Sequence, residues 1–146
     1  MPLLMLPPHP AVYLADRDGL AAYLRARGFD YGVQPAGYTI NVDIGAVVDY
    51  LIDVHWLDDQ VRFVAPSAVT IPPALLAEAA LAVERVNAEI GFPVWRVLPN
   101  LAATYTATLD HRGTLSSRVL EYAIALLHDA LVRHLPVLRA QLGEPA

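Results

Sequence analysis

The stretch Val48-Asp49-Tyr50-Leu51-Ile52-Asp53-Val54-His55-Trp56 decides the fold class of this chain. Apolar side chains occupy every second position from its first residue, and Asp49, Asp53 and His55 lie at positions between them. Successive side chains of a strand point to opposite faces, so the stretch predicts a strand with one buried and one wet face. A wet face is typical of antiparallel sheets, because parallel sheets are covered on both sides.

The segments on either side have the composition of two further strands. Residues 38–44, before Gly45, and residues 60–65, after a turn at Asp58-Asp59, are rich in β-branched and aromatic residues. Residues 38–65 are therefore predicted to form a three-stranded antiparallel meander.

An arm and a short helix are predicted before the meander. Residues 1–15 form a proline-rich arm, which favours an extended path and excludes a helix. Asp16 is then expected to cap a helix over residues 17–27. Gly28 is expected to end that helix in a left-handed conformation.

A longer helix follows the meander. Prolines at positions 72 and 73 fit the first positions of a helix, where a missing N–H costs nothing. Apolar residues at helical spacing, Leu76 and Ala80 among them, predict a buried stripe that continues to Gly91.

Two more strands and a final helix complete the domain. Residues 92–98 and 102–109 have strand composition, and the second strand carries threonine at alternate positions, which predicts a solvated face. Thr114 is expected to cap the final helix, which the apolar stripe extends to about Leu142. Pro136 removes one hydrogen bond inside this helix, so we expect a kink or a break in its last turns.

The resulting order of elements is α-βββ-α-ββ-α, an α+β fold with an antiparallel sheet and helices packed on it. Neither a repeat nor a linker divides it, so residues 16–142 are predicted to be a single domain. Residues 143–146 are a short tail.

Composition restricts the class of protein. Of the 146 residues, 55% are hydrophobic and 17% are charged, so the chain is expected to fold. No stretch contains the ~18 uncharged apolar residues of a membrane span, and the first residues lack the basic start of a secretory signal. We therefore expect a cytoplasmic protein without membrane association.

Its apolar excess predicts a homodimer or a bound protein partner, because a lone domain of this size hides such an excess poorly.

The charge balance disfavours one class of partner and favours another. The formal net charge is −5, and all ten basic residues are arginine. Direct nucleic-acid binding is therefore disfavoured, whereas attachment through a nucleic-acid-binding partner stays open. Between Gly28 and Val61 the chain has aspartates and no arginine, which favours a partner with a basic surface. These aspartates are Asp30, Asp43, Asp49, Asp53, Asp58 and Asp59.

Few residues of the chain are suited to catalysis. There is no cysteine, which removes thiol catalysis, thiolate metal sites and disulfides. His128 and His134 are six residues apart, about 240° around a helix at ~100° per residue, so they cannot form a helical zinc site. No serine lies in a Gly-x-Ser-x-Gly motif, and no glycine-rich motif supports phosphate binding. The sequence therefore predicts a protein with no enzymatic role and no cofactor.

Two hypotheses for a functional site follow from these patterns. In the first, acidic strand residues and large aromatic residues contact a partner protein. The candidate residues are Asp43, Asp49, Asp53, Trp56, Trp95 and Tyr105. In the second, Asp49, Asp53 and His55 use their shared strand face to bind a small molecule or a metal, with weak catalysis as an extension. Core packing is the commoner role of such aromatic residues, and solvation is the commoner role of such a face.

Five separate segments of the chain resemble those of a known family. They are Val61-Arg62-Phe63-Val64-Ala65-Pro66, the helix Leu75–Ile90 carrying Arg85-Val86-Asn87-Ala88-Glu89, Val94-Trp95-Arg96-Val97, Ala103–Asp110 and the closing helix. This pattern is similar to that of the YbjN-like family, small bacterial proteins that resemble class I type III secretion chaperones in fold. The N-x-x-N corner of the family is matched only at Asn87. The resemblance implies a dimeric, non-catalytic protein that recognises other proteins in a regulatory or chaperone-like role.

Overall fold

The computed structural model describes residues 10–43, 49–91, 94–98 and 100–142. Its elements are β1 (Tyr13–Leu14), α1 (Arg17–Ala26), β2 (Tyr31–Gln34), β3 (Gly37–Asp43), β4 (Asp49–Trp56), β5 (Gln60–Val69), α2 (Leu76–Ile90), β6 (Trp95–Leu98), β7 (Asn100–Thr108), β8 (Leu115–Ser116) and α3 (Ser117–Leu142). A short 3₁₀ turn over Pro73–Leu75 precedes α2. The predicted α+β class is confirmed, while the predicted tail and most of the predicted arm lie outside the described residues.

Six strands form one antiparallel sheet in the order β2-β3-β4-β5-β7-β6. The predicted meander is present as β3, β4 and β5, and β2 adds a fourth strand that the sequence pattern does not predict. The strands β4 and β5 are therefore central, and β2 and β6 are the edges. A separate two-stranded pair of β1 and β8 ties the end of the arm to the start of α3.

The hydrophobic core lies on one face of the sheet, between the strands and the helices. Val61, Phe63 and Ala65 of the central strand β5 are fully buried there. They pack in one cluster with Leu20 and Leu24 of α1 and with apolar residues of α2 and α3. The residues that alternate with them form the opposite face, which no helix of the described chain covers.

The predicted cap and end of α1 and the predicted end of α2 are confirmed, whereas α2 begins at Leu76, after the 3₁₀ turn that contains Pro73. Asp16 caps α1, and its Oδ1 accepts the N–H of Gly19 at 2.7 Å. Gly28 follows α1 with φ at 79°, and Gly91 ends α2 with φ at 91°. Both values lie in the left-handed region that favours glycine.

The start and the course of α3 differ from the prediction. The prediction that Thr114 caps α3 is wrong. Its N–H and its hydroxyl both donate to Asp110, and the helix begins only at Ser117. Of the kink or break predicted at Pro136, the break does not occur, since α3 continues through Pro136 to Leu142. Because Pro136 has no N–H, the carbonyl of Val132, four residues earlier, loses its helical hydrogen bond.

The β2–β3 hairpin is held against α1 and β4 by two close contacts. The guanidinium of Arg17 donates to the carbonyl oxygens of Pro35 at 2.6 Å and Gln34 at 2.8 Å. At Gly37 the backbone runs so close to β4 that a Cβ would lie 1.8 Å from the carbonyl oxygen of Val54. Only glycine fits this position, so Gly37 sets how closely the hairpin packs on β4.

Candidate functional site

Asp53, a residue of both site hypotheses, links three strands on the uncovered face of the sheet. Its Oδ1 accepts hydrogen bonds from Thr39 Oγ1 at 2.9 Å and from Gln34 Nε2 at 3.1 Å. Gln34 Nε2 also donates to Thr39 Oγ1. These bonds connect β2, β3 and β4, so the carboxylate has a structural role on this face.

The other residues of the second hypothesis lie along the same strand. His55 is two residues beyond Asp53, and the strand register places it opposite Arg62 on β5. Asp49 pairs with Asp43 across β3 and β4, and their side chains lie outside the described residues. In the described ranges, no group of three or more histidines, aspartates or glutamates is placed to hold a metal ion.

The aspartates of the predicted acidic patch do not converge on one place. Asp43 and Asp49 pair at one end of the β3–β4 ladder, whereas Asp58 and Asp59 lie in the turn beyond the other end of β4. The eight residues of β4 separate the two ends. At ~3.3 Å per residue this separation is about 25 Å. Arg62 on the neighbouring strand adds a positive charge between them, so the patch is spread along the sheet.

The three aromatic candidates lie at different depths. Trp95 is 1% exposed and belongs to the core, so it is not available to a partner in this fold. Trp56 is half-buried and packs against the core from the end of β4. Tyr105 is also half-buried, and its ring contacts those of Phe63 and Tyr122 at centroid distances of 6.3 Å and 5.9 Å.

A buried polar cluster joins α1, α3 and the arm. The hydroxyl of Tyr23 donates to the carboxylate of Glu121, and Arg27 Nη2 lies 3.2 Å from Glu121 Oε1. The pKa of Tyr23 is raised, mainly by burial and secondly by the Glu121 carboxylate. Nearby, the N–H of Val12 donates to Ser117 Oγ at 2.9 Å. The cluster therefore anchors α1 and the arm to α3.

A groove of about 300 Å³ lies between the end of α2 and the middle of α3. Its apolar lining consists of Ile90, Ala125, Leu126 and Ala130. Its polar lining consists of Glu89, Tyr122, Asp129, Arg133 and His134. This groove leaves no pattern in the sequence, because its two sides are far apart in the chain and meet only through packing.

Two ion pairs lie at the groove. His134 Nε2 on α3 is 3.3 Å from Glu89 Oε2 on α2, a pair that carries charge on both sides only when the imidazole is protonated. Arg133 Nη1 is 3.5 Å from Asp129 Oδ2, one turn earlier on α3. The side chain of His134 is 7% exposed and that of Glu89 is 72% exposed. In the described part of the chain, the buried Nδ1 of His134 has no hydrogen-bond partner.

The outer surface of α2 carries exposed apolar residues among its charged ones. The predicted buried stripe of this helix is partly wrong, because Leu76 and Ala80 are exposed while Ala82 is buried. Leu81 is 58% exposed at the middle of the helix. We define the α2 outer face as the residues Leu76, Ala77, Ala80, Leu81, Glu84, Arg85 and Ala88. Such a face is normally polar on a helix that packs on a core with its other side.

Comparisons of the chain with protein-family models, with curated proteins and with solved structures found no match. The resemblance to the YbjN-like family therefore stays a prediction. No helix among the described residues has the length and apolar character needed to span a membrane.

Proposed function

We propose that this chain is a non-enzymatic protein-binding module that acts as a homodimer in the cytoplasm, in a chaperone-like or regulatory role. The observation that supports the proposal is the α2 outer face, where Leu76 and Leu81 are exposed beside small alanine side chains and the rest of the described chain leaves them uncovered. Burial of apolar surface is the main driving force of protein association. A second copy of the chain is the occupant that fits this face.

The charges and the shape of the face support self-association. Leu81, Glu84, Arg85 and Ala88 line a shallow depression on α2. A two-fold axis between Glu84 and Arg85 of two antiparallel helices places each glutamate opposite the other copy's arginine. The same axis places each Leu81 opposite an Ala88, whose small side chain leaves room for the leucine. One surface patch thus complements itself, as dimers with two-fold symmetry require.

The spacing of the face is that of a helix-packing seam. Ala77, Leu81, Glu84 and Ala88 follow one another at intervals of four, three and four residues. Intervals of this kind keep side chains on one stripe of a helix, where they can pack against a second helix. Leu81 also borders a second depression, with Gln141 and Leu142 at the end of α3, so the surface extends beyond α2.

The non-enzymatic part of the proposal is supported by the partners of the polar side chains. Asp53 is bonded within the sheet, and Glu121 is bonded to Tyr23 and Arg27 in the buried cluster. His134 is buried beside Glu89. These groups hold elements of the fold together, which is the commoner role of polar groups bonded in this way.

Light scattering after size-exclusion chromatography tests the dimer. The wild-type chain is expected to be a dimer at tens of micromolar, and Leu81→Glu to be a monomer, because it would place a carboxylate in the apolar contact. Leu51→Glu is the matched control, since Leu51 is 51% exposed on the uncovered face of the sheet and should leave the dimer intact. A monomeric wild type, or a Leu81→Glu variant that stays dimeric, would contradict the proposal.

A charge exchange tests the register of the two helices. Glu84→Arg and Arg85→Glu are each expected to weaken the dimer about tenfold, since each turns two attractive pairs, worth ~0.2–1 kcal/mol apiece, into repulsive ones. The double variant restores the pairs with reversed sign and should regain most of the affinity. Additive losses in the double variant would rule out this register.

A further inference from the structure

We propose that the groove between α2 and α3 binds an arginine side chain of a partner protein, with the cationic head at Glu89. This inference rests on the proposed protein-binding function and names the chemistry that would be recognised. It does not depend on the homodimer.

The shape of the groove suits one long side chain. Its volume of about 300 Å³ is at the lower limit of ligand pockets, which run from about 300 to 1,000 Å³. Ile90, Leu126 and Ala130 provide apolar surface inside it. Arginine packs its aliphatic stem along such surface and keeps its charged head at the opening.

The charges at the groove favour a cation. Glu89 is largely exposed, and its contact with His134 neutralises it only when the imidazole is protonated. Asp129 supplies a second carboxylate, against the single guanidinium of Arg133. Tyr122, half-exposed in the same lining, offers the face of an aromatic ring, which attracts cations. With a neutral imidazole, the groove therefore carries one net negative charge.

The carboxylates of the groove favour arginine over lysine. Glu89 and Asp129 both line it. A guanidinium carries five N–H donors in a planar fork that matches a carboxylate, whereas an ammonium group carries three at one point. Arginine can therefore bind Glu89 with two parallel hydrogen bonds.

The groove opens beside the α2 outer face. Glu89 is eight residues beyond Leu81, which places it about 80° around the helix at ~100° per residue. A second copy seated on Leu81 would therefore leave the groove open on the flank of α2. Each dimer would present two grooves, one on each copy.

The test is an NMR titration of the full isotope-labelled chain with two matched peptides. One is a short alanine-rich peptide with a single arginine, and the other carries citrulline, its neutral isostere, at the same position. The arginine peptide is expected to shift the amide signals of residues 89–90 and 122–134 in a saturable way, and the citrulline peptide to bind at least about fivefold more weakly. Equal binding of the two peptides, or shifts confined to another surface, would overturn the proposal.

Two isosteric variants assign the effect to the groove. Glu89→Gln should weaken binding of the arginine peptide about twofold to fivefold, the loss of roughly one exposed charge pair. Glu78→Gln removes another exposed carboxylate, from the first turn of the same helix, and should leave affinity unchanged. Equal effects of the two variants would show that binding follows net charge and would refute the site. A monomeric chain that binds the arginine peptide would refute the dimer alone, and a dimer that fails to bind it would refute the groove alone.

Discussion

Asn87 on α2 closes the free edge of the sheet by binding both backbone groups of Trp95 on β6. Its Oδ1 accepts the N–H of Trp95 at 2.9 Å and that of Val94 at 3.1 Å, and its Nδ2 donates to the Trp95 carbonyl at 3.0 Å. One amide side chain thus satisfies the groups that a further strand would otherwise bind. Because open strand edges pair with other chains, this contact protects β6 and also fixes α2 on the sheet.

Removal of this amide should loosen the edge of the sheet. Asn87→Ala leaves two N–H groups and one carbonyl without partners, so we expect the free energy of unfolding to fall by about 2–4 kcal/mol. Urea unfolding measures the loss, and hydrogen exchange should show faster exchange at Trp95. Asn41→Ala, at an exposed asparagine of β3, should change stability by less than about 0.5 kcal/mol. Equal stability of the two variants would contradict this role of Asn87.

The close approach of Gly37 to Val54 makes a second prediction. Gly37→Ala places a methyl group on the Val54 carbonyl, which must move, and we expect a loss of about 3 kcal/mol or more in the free energy of unfolding. Gly32→Ala, on the adjacent strand, meets no atom within 4 Å and should be neutral or slightly stabilising. Thermal unfolding of the two variants separates the steric effect from the general effect of replacing glycine. Similar melting temperatures would refute the predicted clash at position 37.

The sheet was predictable because burial of one face imposes an alternation that the sequence must carry. Ile52 and Val54 are buried as the pattern of β4 requires, while Leu51 is exposed on the other face. The strand β2 escapes this signal, since it has four residues and includes Gly32. Its position depends on contacts from elsewhere, above all those of Arg17 with the hairpin turn.

The candidate sites were harder to predict because they depend on how the helices are turned and packed. Both the buried and the exposed sides of α2 carry apolar residues, so periodicity alone does not decide which stripe meets the sheet, and the stripe that it predicts includes Leu76, which is exposed. The groove needs Glu89 of α2 and His134 of α3 side by side, which only the packed helices achieve. Asp53 was correctly placed on a wet strand face, but its bonds to Thr39 and Gln34 depend on the strand register.

The buried cluster of Tyr23 and Glu121 predicts a dependence of stability on alkaline pH. Burial and the Glu121 carboxylate raise the pKa of Tyr23 in the folded state, so folding favours the protonated phenol. This contribution is complete below the ordinary tyrosine pKa of about 10 and is lost as the pH rises through the higher folded value. Tyr23→Phe should cost about 1 kcal/mol at neutral pH and should make stability fall less steeply above pH ~10.

Urea unfolding at neutral and alkaline pH measures both effects. Tyr13→Phe is the control, because Tyr13 is 61% exposed and its loss should change neither the stability nor its pH dependence. The same pH slope in Tyr23→Phe and in the wild type would contradict the assignment.

The turn between β7 and β8 predicts a dependence on acid. Asp110 Oδ1 accepts the N–H of Arg112 at 2.8 Å and that of Thr114 at 3.0 Å, and Oδ2 accepts the Thr114 hydroxyl at 2.8 Å. These bonds lower the pKa of Asp110 to about 2, and the bond from the Thr114 N–H contributes most. Folding therefore favours the carboxylate, and its contribution is present above the ordinary aspartate pKa of about 4 and is lost as the pH falls through about 2.

A carboxyl NMR titration checks this turn directly. We expect the Asp110 signal to titrate with a midpoint of about 2, and the signal to be absent in Asp110→Asn. Asp58→Asn, in the exposed turn between β4 and β5, should leave the Asp110 midpoint where it is. A midpoint in the ordinary aspartate range would show that the turn opens in solution. Thr114 would then be free for the capping role that its sequence position suggests and that its bonds to Asp110 prevent in the structure.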